Sequence, residues 1–171
     1  MINVASLVQL KAFARQYGVF VALLWTVSFL AVVLVPTSPW GNLLAVSTPV
    51  LAGYLITHFR INVLDGVISF RRALALSLYI FFYALLLFAV FQFAYLRFFD
   101  NGTLNILLSN GIKALEPMYR QQGMTVKEIA NIRELILNFS PVEKSFIFMM
   151  QNLFIGFVMS LPLALICRRS K

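Results

Sequence analysis

Few side chains in this sequence are of types that do covalent chemistry, and they are scattered. There is one cysteine, Cys167, and one histidine, His58. A lone cysteine cannot close an internal disulfide, and neither residue belongs to a spacing that would hold a metal ion. The acidic residues Asp100, Glu116, Glu128, Glu134 and Glu143 gather in one polar stretch, apart from both. A nucleophile needs a base within hydrogen-bond reach and a third group to orient that base. No such set can be named, so the expectation is a protein that is not an enzyme and uses no cofactor.

Two other groups of polar side chains offer a different chemistry. Gln92, Gln151 and Asn152 sit inside otherwise apolar runs. Their carboxamides donate and accept hydrogen bonds where water is scarce. The ordinary reading is a bond between neighbouring helices, worth about 0.6 kcal/mol on average inside a membrane. The more specific reading is a polar pocket that opens outward. Arg60, Arg71 and Arg72 cluster where apolar runs end. Each gains about 1 kcal/mol near anionic lipid headgroups. The ordinary reading is that they only set orientation; the sharper one is contact with a phosphate-bearing lipid or substrate.

The elements that must position these groups are read from composition. Of 171 residues, 61% are apolar and 12% charged, whereas a soluble domain is about 45–50% apolar and about 25% charged. The apolar excess falls in blocks, which marks membrane spans. Four are expected, at about 17–35, 42–57, 73–96 and 144–167. The first is read as an uncleaved span, since its run is long for a signal segment and Pro36, Thr37, Ser38 and Pro39 follow it in place of a small-residue cleavage site. The second is short and holds Pro49, which removes a backbone donor and predicts a kink or a late helix start.

Residues 58–72 read as a basic connection with a turn at Asp65-Gly66, and 97–143 as a helical insert. Within the insert, Thr103 is expected to cap a helix carrying Leu104, Leu108, Ile112 and Leu115 on one face, and Pro117 to break it. Thr125 with Glu128, and Ser140 with Glu143, fit capping boxes, the second launching the last span with Pro141 at its first position. The apolar stripes of the insert need cover, from each other, from the outer membrane surface or, as preferred, from the spans. The fold class expected is all-α, a single-domain integral membrane four-helix bundle over 1–171 with an external helical insert between spans three and four.

The net charge of +8 is explained by topology. Lys11 and Arg15, then Arg60, Arg71 and Arg72, then Arg168, Arg169 and Lys171 fall on one side, with Asp65 as the acidic residue there. The insert side mixes both signs. Basic flanks mark the cytoplasmic face, so both termini are expected inside and 97–143 outside. The basic residues form no stripe interleaved with aromatics on a polar surface, which excludes nucleic acid as a partner. No Asp, Glu, Lys or Arg falls in the middle of an expected span, against the usual design of proton-coupled transporters and pumps.

Gly156 and Ser160 are small residues four apart that permit close helix approach, and Pro162 predicts a bend whose freed carbonyl a neighbouring helix or Ser160 can satisfy. Tyr79 and Tyr83 share a helix face, suited to ordinary packing or to a groove for a lipid chain.

Four segments carry a family resemblance. Asp65-Gly-Val-Ile-Ser-Phe-Arg-Arg-Ala-Leu74 resembles the entry to the third span of a small bacterial membrane family, domain-of-unknown-function family 4199. Tyr95-Leu-Arg-Phe-Phe-Asp100 resembles the exit of that span. Gln122-Gly-Met-Thr125 with Glu128-Ile129 resembles the family's outer insert, and Ile155-Gly156 with Ser160-Leu161 its last span. The resemblance covers about 54–171; the first third is similar in pattern only. It implies four spans, an external insert and a bacterial inner membrane. The family's molecular function is not established, so the resemblance assigns no catalytic residues.

Two functional classes therefore stand. One is a non-enzymatic accessory or scaffold subunit that works through helix packing and the insert, with a membrane-protein partner or a second copy of itself. The other is a small transporter, channel or lipid-binding protein built on Gln92, Gln151 and Asn152. Membrane lipids are partners in both.

Overall fold

A computed structural model of the protein describes residues 4–169. Lys171, counted above with the basic side, lies outside them. Seven helices follow in order: α1 (Val4–Leu34), α2 (Trp40–Val46), α3 (Thr48–Val63), α4 (Phe70–Phe98), α5 (Thr103–Gln121), α6 (Val126–Asn138) and α7 (Pro141–Cys167). Among the described residues there is no strand, only a two-residue antiparallel bridge between Ile68 and Arg169.

Four helical runs are long and apolar enough to cross a bilayer: Ser6–Leu34, Trp40–Val63, Phe70–Phe98 and Pro141–Cys167. At 1.5 Å per residue each exceeds the roughly 30 Å of hydrocarbon. The chain is thus a membrane protein. Its first span begins earlier than the hydropathy suggested. Lys11 and Arg15 lie inside α1, because nothing in that segment breaks a helix and long basic side chains can reach out of an apolar layer. Lys11 places its ammonium 5.4 Å from the centre of the Tyr79 ring. Tyr79 in turn stacks on Tyr83, both half-buried.

The second span differs from the expected 42–57 at both ends. Helix α3 continues to Val63, and the connection shrinks to residues 64–69. The buried residues Ala52, Leu55, Ile56 and Phe59 recur at helical spacing, and Phe59 carries the pattern past His58. The turn is at Asp65-Gly66 as read, with both residues at positive φ (50° and 84°). Ser69 then caps α4, accepting from the backbone N–H of Arg72.

Helices α1, α3, α4 and α7 share one apolar core. Phe59, Ile56, Leu76, Ile80 and Ala164 have essentially no accessible surface. Close approach of α4 and α7 depends on Gly156, where an added Cβ would lie 2.9 Å from Cβ of Phe81. Beside it, the Ser77 hydroxyl donates to Ser160 Oγ (3.0 Å), and Ser160 donates to the Gly156 carbonyl (2.7 Å). Ser160 thus serves its own helix and α4; it does not take the carbonyl freed by Pro162. Helix α7 runs through Pro162 without a break.

In the insert both capping boxes form. Thr125 Oγ1 accepts from Glu128 N–H while the Glu128 carboxylate accepts from Thr125 N–H, and Ser140 and Glu143 do the same. Two expectations fail. Thr103 is already helical: left-handed Gly102 precedes it, and the carboxylate of Asp100 accepts from Leu104 N–H (3.3 Å) in its place. Pro117 lies inside α5, since one missing donor on an exposed helix leaves the other backbone bonds in place. Nor does the whole insert cover the spans. Helices α5 and α6 pack on each other, α5 touches α1, and α6 packs closely on no span. Lys144 pins the assembly, donating to Asn105 Oδ1 (2.7 Å) and to the Leu137 carbonyl (3.2 Å).

Candidate intramembrane site

The second span is broken by its own sequence. Pro49 has no N–H, so the carbonyl of Ala45 cannot be used by a continuing helix. The Thr48 hydroxyl donates to that carbonyl (2.7 Å) and the Ser47 hydroxyl to the Leu44 carbonyl (2.7 Å). The Ala45 carbonyl is thereby satisfied, and the Leu44 carbonyl, which also accepts from the Ser47 N–H (3.2 Å), gains a second donor. The break is also anchored across helices, because Trp25 Nε1 on α1 donates to Thr48 Oγ1 (3.0 Å).

Once freed from α3's line, α2 lies on α1. Gly41 makes this possible: a Cβ there would stand 2.4 Å from Val32 Cγ2 and 2.8 Å from Val32 N. Ser28 fixes the contact by donating to the Gly41 carbonyl (2.7 Å). Helix α2 consequently makes no close approach to α7, and the space between them stays open.

That space is a cavity of about 480 Å³. It is lined from α1, α2, α3, α4 and α7, and its wall is mainly aromatic and aliphatic, with Trp25, Phe29, Phe88 and Phe148 among the rings. Its volume falls in the range of about 300–1,000 Å³ typical of small-molecule pockets. It occupies the insert end of the spans, and no charged residue lines it. Its polar lining is Ser28, Thr48, Gln92 and Asn152. The hydroxyls of Ser28 and Thr48 are already bonded, as above.

Gln92 and Asn152 are therefore brought to one cavity, while Gln151 is not. Gln151 is exposed on the outer face of α7, one residue and about 100° round the helix from Asn152. The interhelical bond expected among these amides is not made. Gln92 is only 2% exposed, and its Oε1 is buried with no hydrogen-bond partner. Reading the sequence did not find Trp25, Ser28, Thr48 and Gly41. The signal is Ser47-Thr48-Pro49: of the kink or late helix start that Pro49 predicts, the structure has the helix start, at Thr48, and the change of direction there makes room.

The three arginines at the other end do not form one cradle. Arg60 donates through Nη1 to the Cys167 carbonyl (2.8 Å), which caps α7 with a cation favoured by the helix dipole. Arg72 donates through Nη2 to Gln9 Oε1 (3.2 Å) and lies over the Phe59 ring. Each keeps a buried Nε without an acceptor. Arg71 is exposed. Cys167 is buried between α3 and α7, accepting from Thr57 Oγ1 (3.8 Å) and donating to the Gly53 carbonyl (3.6 Å). His58 pairs with the Tyr17 hydroxyl (2.9 Å).

A family model described as protein of unknown function (DUF4199) matches residues 16–169. The match takes in the first span as well as the segments from Asp65 onward. No curated protein and no solved structure matches the chain.

Proposed function

The chain belongs to the DUF4199 family of proteins of unknown function, and on that premise we propose that it is a non-enzymatic accessory or scaffold subunit of a bacterial inner membrane. The observation that carries this is the partly unsupported insert. Helix α6 meets the spans where its Leu137 carbonyl accepts from Lys144 and packs closely on none of them, yet Ile132 and Leu135, neighbours on one face of it, are exposed, Leu135 by 60%. An apolar helix face held away from its own protein suits a partner's surface. Both termini are cytoplasmic and the insert periplasmic in this reading. The support is the basic residues at the start of α1, at 60–72 and at the end of α7, with the exposed Arg71 available to lipid headgroups.

Crosslinking in native membranes followed by purification tests the reading. It predicts one membrane protein recovered in fixed ratio, and lost when Leu135→Glu places a charge on the α6 face. Recovery of nothing but copies of this chain, from both native protein and variant, would contradict it.

A second reading, a lipid-binding protein, is favoured by the cavity. The channel version is not, because the core of Phe59, Ile56, Leu76 and Ile80 fills the basic end.

A further inference from the structure

We propose that the cavity at the insert end is a binding site for an uncharged, predominantly apolar molecule carrying a hydroxyl or amide N–H, whose polar group is held by Gln92 with Asn152. The assignment rests on the lipid-binding reading above and is independent of the scaffold reading.

Burying a carboxamide oxygen with no donor is costly, and native proteins rarely leave one so. The donors on the α1, α2 and α3 side of the wall are satisfied internally: Trp25 by Thr48, Thr48 by Ala45, Ser28 by Gly41. Gln92 Oε1, across the cavity on α4, is fully buried and has no donor. It belongs to a cavity-lining residue, and a half-turn about the last side-chain torsion exchanges the oxygen and nitrogen of the amide. The missing donor can then be supplied by an occupant.

The lining sets the rest of the occupant's chemistry. Aromatic and aliphatic side chains make up most of the wall, so most of the occupant is apolar. No Lys, Arg, Asp or Glu lines it, so a carboxylate or phosphate would enter without a counter-charge. Asn152 on α7 offers a second amide, so a group that both donates and accepts fits better than one that only accepts. A plain ester supplies no donor. A hydroxyl or an amide N–H does.

The structure contains its own reporter. Trp25 lines the cavity, and the remaining tryptophan, Trp40, is exposed. The full-length Trp40→Phe variant in detergent would be titrated with three chain-brominated probes of equal length: a long-chain alcohol, its methyl ester and the ionised fatty acid. Bromine quenches Trp25 on contact. The expected result is saturable quenching by the alcohol that unbrominated alcohol reverses, with the ester and the ionised acid about tenfold weaker or worse. Gln92→Leu, which keeps the wall apolar and of similar size, should bring the alcohol down to the level of the ester. Ala45→Phe, which fills the cavity from α2, should abolish saturable quenching by all three.

Equal affinity for alcohol, ester and acid would overturn the assigned ligand class while leaving a lipid-binding cavity. Quenching that never saturates, and that Ala45→Phe leaves unchanged, would overturn the cavity reading itself.

Discussion

At the end of the spans that carries Arg60 and Arg72, Phe59 is fully buried in one core with Leu10, Ile56 and Leu76, whereas at the insert end Phe29, Phe88 and Phe148 stand around open space. The same helices α1, α3, α4 and α7 supply both ends. The difference lies in the second span. Below Thr48 it is a regular helix, α3, that faces α1, α4 and α7 together; above Thr48 it becomes α2, which leans on α1 alone. In a bilayer, apolar side chains gain little by leaving lipid, so helices associate through close packing and polar contacts. A span that turns away from its neighbours therefore does not collapse back, and the gap persists.

The contrast can be broken most forcefully at the filled end. Phe59→Ala is expected to destabilise the protein by about 2–4 kcal/mol, toward the lower part of the range for a buried aromatic because lipid, unlike water, solvates the lost ring surface. Phe148→Ala, at the hollow end, should cost less than about 1 kcal/mol, since it enlarges a space that already exists. Thermal unfolding of both variants in the same detergent makes the comparison, and equal losses would mean that the two ends are equally packed.

A smaller effect is expected at Gly41. Gly41→Leu would drive a side chain into Val32 and push α2 off α1. The expected loss is about 1–3 kcal/mol, together with altered Trp25 emission as the Thr48 contact is disturbed. A stable protein with unchanged Trp25 emission would show that α2 is not held against α1.

The smallest change concerns the insert. Thr125→Ala removes a helix cap at a cost of about 1 kcal/mol, and because α6 packs closely on no span and Thr125 lies at the far end of it from the Lys144–Leu137 bond, the effect should stay local. Hydrogen exchange should quicken in α6 and remain unchanged in α3 and α4. The Glu128 carboxyl is held below its ordinary range by hydrogen bonds from Thr125, the backbone N–H first and the hydroxyl second. Its folded-state pKa is lowered, so the cap contributes above the ordinary carboxylate pKa and is lost as pH falls through the folded value. Acidification of the native protein should accordingly reproduce the quickened exchange in α6, and the Glu128→Gln variant should lose that pH dependence.

The parts of this fold that were legible in the sequence depend on near neighbours. Long apolar runs identified the four spans, and Thr125 with Glu128 and Ser140 with Glu143 announced their helices three residues ahead. Asp65-Gly66 likewise marked its own turn. What was illegible depends on distant residues. The run of α3 past His58 follows from Phe59 finding the core, not from its local polarity. Gln151 and Asn152 are adjacent in sequence, and nothing local says that only Asn152 faces inward. The cavity itself arises from Gly41 meeting Val32 and from Thr48 meeting Trp25, contacts that no periodicity encodes.

The most direct test of the hollow insert end is native mass spectrometry of the protein purified from its own membrane in mild detergent. The account predicts that a small uncharged lipid-like molecule is released with the protein at up to one per chain, and that the Ala45→Phe variant, folded and with unchanged thermal stability, carries none. Bare protein mass in the native sample, or the same bound molecule retained by Ala45→Phe, would contradict it.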